Sequence, residues 1–166
     1  MLTQAKLKEL FHYCPNTGTF TRIKTITYNA KAGDIAGTHE SNGYRRICID
    51  GKNYRYHRLV WLYTYGVWPI EHIDHINGDP SDNRIINLRE ATSAQNNRNK
   101  LIRFDNKSGF KGVCLDRRRG KWLAQCTIDK NYHFLGYYAS AKLASVAYES
   151  FTKIAYGEFY PSQLGV

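Results

Sequence analysis

Ile73-Asp74-His75-Ile76-Asn77-Gly78-Asp79 decides how this chain is read, because it sets a carboxylate beside an imidazole where a strand meets a loop. Residues 70 to 76 read as that strand, and the Asn-, Asp- and Gly-rich stretch after them reads as a polar loop. At such a junction the backbone can turn both side chains toward one phosphate. Phosphodiester hydrolysis needs a hard cation to neutralise the scissile group, and hard cations take oxygen ligands. It also needs a base to activate water, and histidine suits that task near neutral pH. Asp74 is the candidate ligand and His75 the candidate base.

Further along, Asn87-Leu88-Arg89 reads as a brief return strand. Thr92-Ser93-Ala94-Gln95 fits a capping box that opens a helix running through Asn96 toward Lys100. Asn96, in its first turn, can offer an amide oxygen to the same cation if strand, loop and helix pack face to face. Asn99 shares that helix face at i+3 and competes for the role. His72 makes a His-x-x-His spacing with His75 but suits a strand-face histidine better than a ligand. His12, His39 and His133 have no supporting context.

Three zones surround this stretch. Residues 1 to 56 open with a short amphipathic helix, Thr3 as N-cap and Leu7, Leu10 and Phe11 on one face. Pro15-Asn16-Thr17-Gly18 supplies the turn chemistry to end it. Asp50-Gly51, between residues 44–49 and 53–56, signals a hairpin whose turn needs positive φ. Residues 57 to 104 start with a short helix at His57-Arg58-Leu59-Val60-Trp61-Leu62-Tyr63, stopped by Gly66 and Pro69. Residues 105 to 166 begin with the linker Asp105-Asn106-Lys107-Ser108-Gly109. Three strands follow, near 112–115, 122–128 and 133–138. A final helix is N-capped by Ser140, with Leu143, Ala144, Ala147, Phe151 and Ile154 on one face and Gly157 near its end. The expected fold class is α+β.

Composition points to the partner. Lys and Arg number 24 against 14 Asp and Glu, a formal charge of +10, with a pI near 9.5. Such an excess favours a polyanion, nucleic acid before an anionic membrane surface. The 13 Tyr, 7 Phe and 3 Trp supply apolar material that a disordered basic tail lacks. No apolar run approaches the roughly 18–20 residues of a membrane span, and Met1-Leu2-Thr3-Gln4-Ala5-Lys6 lacks a signal-peptide core. Cys14, Cys48, Cys114 and Cys126 contain no Cys-x-x-Cys pair, which argues against a zinc ribbon and for reduced thiols in a cytoplasmic protein. Whether Cys114 and Cys126 face each other across a hairpin stays open.

The quoted stretch, with Asp82-Asn83-Arg84, Asn87-Leu88-Arg89, Thr92 and Asn96, resembles the HNH nuclease motif, most closely that of phage and intron-encoded homing endonucleases. His75, Asn87 and Asn96 stand at the three lettered positions, with Asn in the third place where many members carry His. The resemblance implies a ββα-metal core over residues 57 to 104. It implies His75 as general base, and Asp74 and Asn96 as ligands of one divalent ion, Mg²⁺ or Mn²⁺. Asn87 would pin the loop between the strands and help orient the base. His57 and Arg58 match a segment found upstream of such motifs, which implies a supporting role.

Ser108-Gly109-Phe110-Lys111-Gly112-Val113, Gly120-Lys121-Trp122-Leu123-Ala124, Phe134-Leu135-Gly136-Tyr137-Tyr138 and Ala144-Ser145-Val146-Ala147-Tyr148 are similar to the APETALA2-type DNA-binding domain of plant ethylene-response factors. That resemblance implies a three-stranded sheet reading the major groove, with Lys111, Arg117, Arg118, Arg119, Lys121, Trp122 and Gln125 as contacts. Arg89 and Arg98 are candidate phosphate contacts, and Trp122, Phe134 and Tyr137 also suit sheet packing. Cys114, Asp116 and Thr127 fall near places where the plant domains carry arginine, so the plant target sequence does not transfer. The expectation is a metal-dependent endonuclease acting on double-stranded DNA in a bacterial or phage-infected cell, monomeric unless both strands are cut together. The alternative is a DNA-binding protein with a vestigial site, and an RNA-directed nuclease would keep the same residues.

Overall fold

A computed structural model describes residues 1–99, 102 and 105–160. Helix α1 (Gln4–Leu10) starts where expected, its first turn capped by the Thr3 hydroxyl, which accepts from the Lys6 N–H. Phe11 does not continue the helix face. It opens strand β1 (Phe11–Cys14), which pairs antiparallel with β2 (Thr19–Arg22), so Pro15-Asn16-Thr17-Gly18 joins two strands. Period two explains the difference: Phe11 and Tyr13 are buried while His12 between them is exposed.

Strands β3 (Thr38–His39), β4 (Arg45–Ile49) and β5 (Lys52–Arg55) form an antiparallel sheet in that order. The β4–β5 turn holds Asp50 at φ 50° and Gly51 at φ 74°, the left-handed pair that a two-residue hairpin needs. Helix α2 (Tyr56–Tyr65) follows and stops at Gly66, left-handed at φ 79°. Strand β6 (His72–His75) pairs antiparallel with β7 (Leu88–Ala91), which a single 3₁₀ turn (Ile85–Asn87) precedes, and α3 (Ser93–Asn99) comes next. The reciprocal capping box is present: the Thr92 N–H donates to Gln95 Oε1 and the Gln95 N–H to the Thr92 hydroxyl.

Leu7, Phe11, Phe20, Ile47, Tyr56, Leu59, Leu62, Ile73 and Leu88 belong to one buried cluster. Residues before 57 and the β6–β7 hairpin therefore share a core, within a compact unit spanning Met1–Asn96.

A second unit spans Asn97–Pro161. Strands β8 (Val113–Asp116), β9 (Lys121–Ile128) and β10 (Asn131–Tyr138) form an antiparallel sheet with β9 central. Helix α4 (Ala141–Tyr156), capped by the Ser140 hydroxyl on the Leu143 N–H, covers one face through Ala144 on Val113 and Ala124. Gly112 is obligatory there: a Cβ would lie 2.1 Å from the Tyr148 ring, and its φ is +65°.

The division between units falls inside α3; the boundary expected at residue 104 lies outside the described residues. The physical reason is Arg98. Its Nη2 pairs with Asp129 at 2.9 Å, its guanidinium covers the Tyr156 ring at 4.9 Å, and its carbonyl accepts from Lys111 Nζ at 3.0 Å. Cys114 lies opposite Leu123, whereas Cys126 is buried on the other face with Ala124. The two thiols therefore do not face each other, and all four cysteines are free. Among the described residues no helix is long and apolar enough to cross a membrane.

Candidate active site

Strand pairing builds the site first. His75 is the last residue of β6, opposite Leu88, and Asp74 lies directly opposite Arg89. Both side chains point into the unit, each residue only 4% exposed. Arg89 donates from Nε to Asp74 Oδ2 at 2.9 Å, and its Nη2 lies 2.9 Å from the same oxygen.

The loop after His75 is shaped by amides. Asn87 accepts the Asn77 N–H at 3.0 Å and donates from Nδ2 to Asn77 Oδ1 at 3.0 Å and to the Asp82 carbonyl at 2.8 Å. Its own carbonyl accepts the Ile76 N–H. One asparagine thus closes the loop like a clasp. Asp82 receives Arg84 Nε and Nη2 on its two oxygens and Asn77 Nδ2 as well, and Arg84 holds its carboxyl down at about 2.

The ring of His75 meets three neighbours. Its Nε2 is 3.3 Å from Asn83 Oδ1, and the rings of His57 and Tyr44 stand edge-on at 5.3 and 5.8 Å between centroids. Burial pushes the His75 ring below the ordinary histidine range, against the pull of Asn83 and of the nearby carboxylates. His57, on the first turn of α2, is buried further in effect: burial first, then His75, Arg58 and Arg55, push it down to about 3. Its Nδ1 has no hydrogen-bond partner among the described residues. Arg58 donates to the Glu71 and Pro69 carbonyls, fixing the segment that enters β6.

Asn83 went unassigned in the sequence reading, although it lies inside the quoted motif. Tyr13 was missed altogether; its hydroxyl donates to the Asn83 carbonyl and accepts the Ile85 N–H, both at 2.9 Å. Asn96 is half-buried in the first turn of α3, directly after the capping box. Among the described residues no group of three or more His, Cys, Asp and Glu is placed to hold a metal. Asp74 offers a carboxylate and Asn96 an amide oxygen, donor types that suit a hard cation completed by water and phosphate.

Several expected DNA contacts are otherwise engaged. Arg98 has its side chain 15% exposed in the Asp129 pair, Lys111 is half-buried on the Arg98 carbonyl, and Trp122 packs with the core under α4. Arg89 is committed to Asp74. Arg119 pairs with Asp116 and covers Tyr137 at 4.9 Å. Arg117, Arg118 and Lys121 are exposed. Gln125 lies on the sheet face opposite α4, where its Oε1 accepts from the exposed Tyr132 and Phe134 stands across the ladder.

Residues 54–98 match the family model described as HNH endonuclease. The chain is 34% identical over 80 residues to "Protein 3.8" of Escherichia phage T7, an alignment covering 48% of this chain and 66% of that protein. The chain thus spans just under two thirds of that relative's length. No solved structure matches the chain.

Proposed function

We propose that this protein is a metal-dependent endonuclease that hydrolyses phosphodiester bonds in duplex DNA, with His75 as general base. The observation that carries the reading is a buried imidazole next to a buried carboxylate, inside the segment that matches the HNH endonuclease family. Burial pushes the His75 ring toward its neutral form, the one able to take a proton from water. Asp74 and Asn96 would hold the ion in a ββα-metal arrangement. When bound, Mg²⁺ or Mn²⁺ supplies charge neutralisation at the scissile phosphate and the leaving oxygen. Asn87 keeps the loop shut so that the base stays aimed. Arg117, Arg118, Lys121 and Gln125 give the second unit an APETALA2-like face for the duplex, working as a monomer in the bacterial or infected cell.

His75→Ala should lose cleavage of supercoiled plasmid by about 10²-fold or more while keeping duplex affinity. Unimpaired cutting by that variant would remove His75 from the role of base. A second reading, binding without cleavage, draws on the Arg89–Asp74 pair, since a guanidinium already neutralises the carboxylate. Plasmid cleavage that EDTA abolishes and Mg²⁺ restores decides for the enzyme; binding with no cutting under any divalent ion decides for the rival.

A further inference from the structure

We propose that residues 22–31 form a basic finger on the first unit that grips the duplex away from the cut, with lysines on phosphates and the Tyr28 tip in the groove. The inference rests on reading duplex DNA as the substrate, though not on His75 as the base.

Exposed apolar side chains are ordinary singly and informative together. Ile23, Ile26, Tyr28 and Ile35 are 45, 61, 84 and 59% exposed along one short segment. That segment is tied into a hairpin by its own hydrogen bonds. The Ile26 N–H donates to the Ala30 carbonyl at 2.9 Å and the Ala30 N–H to the Thr27 carbonyl at 3.0 Å, which leaves Tyr28 and Asn29 as the tip. Behind the tip, the Ala32 N–H donates to the Thr25 hydroxyl at 3.0 Å. At the base, the Arg22 N–H donates to the Asp34 carbonyl and the Gly33 N–H to the Arg22 carbonyl. The fold thus holds an aromatic ring and an isoleucine out in water, where neither adds to the core.

Charge selects the occupant. No Asp or Glu occurs from residue 10 to residue 33, whereas Arg22, Lys24 and Lys31 do. Asp34 follows at the base, its Oδ2 accepting the Lys31 N–H at 2.7 Å. The Lys31 ammonium lies 5.0 Å over the Tyr28 ring, so cation and ring are presented together. A duplex offers both counterparts: phosphates that take lysines, and a groove in which apolar side chains wedge against the bases. Placement agrees with this. The turn before β2 presses on the site loop, where a Cβ at Gly18 would lie 2.5 Å from the Arg84 nitrogen. The finger leaves the other end of β2, roughly 13 Å further on, a span of about four base pairs.

The test is a titration of the full chain against a fluorescein-labelled, mixed-sequence duplex in EDTA, which reads binding without cleavage. Tyr28→Ala should weaken binding about tenfold with an unchanged log–log salt slope, because no phosphate contact is lost. Lys24→Gln combined with Lys31→Gln should instead lower that slope by about two. All three side chains are exposed, so melting temperatures should stay at the wild-type value. Wild-type affinity in Tyr28→Ala, or a wild-type slope in the lysine pair, overturns the proposal and leaves the duplex reading standing. A wild type that binds no duplex overturns both. If Tyr28→Ala loses binding to phosphatidylserine vesicles while duplex affinity is intact, the tip belongs to a membrane surface and the proposal falls.

Discussion

Arg89 places Nε and Nη2 on the same oxygen, Oδ2 of Asp74, directly across the β6–β7 ladder. Both partners are largely withdrawn from water, so the pair differs from an exposed bridge worth little. Removing one partner of such a pair leaves a buried charge, at a cost of roughly 3–5 kcal/mol. Arg89→Ala should therefore lose about that much stability in EDTA. A Mg²⁺ ion on Asp74 would replace the missing positive charge, so the loss should narrow when Mg²⁺ is added. Urea unfolding of the variant in both buffers checks it. A deficit indifferent to Mg²⁺ speaks against Asp74 as a ligand.

Asn87 contributes three side-chain hydrogen bonds to the loop that follows His75. Asn87→Ala strands the Asn77 N–H and the Asp82 carbonyl, costing about 3 kcal/mol if they stay buried. Steady-state cleavage should then show lower kcat with duplex affinity close to wild type. A variant impaired in binding alone would place Asn87 at the DNA surface.

Acid should weaken the first unit before its carboxylates titrate. His57 is folded as the neutral ring, pushed down to about 3, whereas the unfolded chain takes up that proton near 6.5. Its contribution is present above about pH 6.5 and is lost as pH falls toward 3. Between pH 6.5 and 5 one such histidine removes on the order of 2 kcal/mol. His75, shifted the same way, steepens the trend. Denaturant midpoints across that range should fall for the wild type, and the slope should flatten in His57→Phe. A flat wild-type profile would mean that both rings are protonated in the fold.

Arginines of the second unit should separate into two kinds. Replacing Arg117 and Arg118 together with Ala should lower duplex affinity and reduce the log–log salt slope by about two. Arg98→Ala removes the ion pair to Asp129 and the cover on Tyr156, so thermal unfolding should move more than the salt slope. Titrations at several salt concentrations, read beside melting curves, test both statements.

Local chemistry was legible in the sequence, and partners set by pairing were not. Asp74, His75 and the Thr92–Gln95 cap follow from short spacings, and the cap forms as read. The Asp74–Arg89 pair depends on the register of a hairpin closed by a long loop, which no local pattern specifies. Arg89, Arg98 and Lys111 looked like surface cations because charge in a basic chain resembles a solvated face until tertiary contacts are known. Phe11 fitted both a helix face and a strand, and burial of alternate residues in β1 resolved it. Trp122 had the same two readings, and α4 took it for the core. Asn83 carried no signal beyond its place in the motif, since its contact with His75 depends on how the loop folds.

The core shared by the N-terminal hairpin and β6 has an outcome for gene shuffling. The family match begins at residue 54, yet Leu7, Phe11 and Phe20 pack in one cluster with Tyr56, Leu59 and Ile73, and Tyr13 grips the peptide beside Asn83. A transplant of 54–98 alone would leave Tyr56 and Leu59 facing water and release the hold on Asn83. Recombination that preserves the candidate site must carry Met1–Asn96 as one cassette.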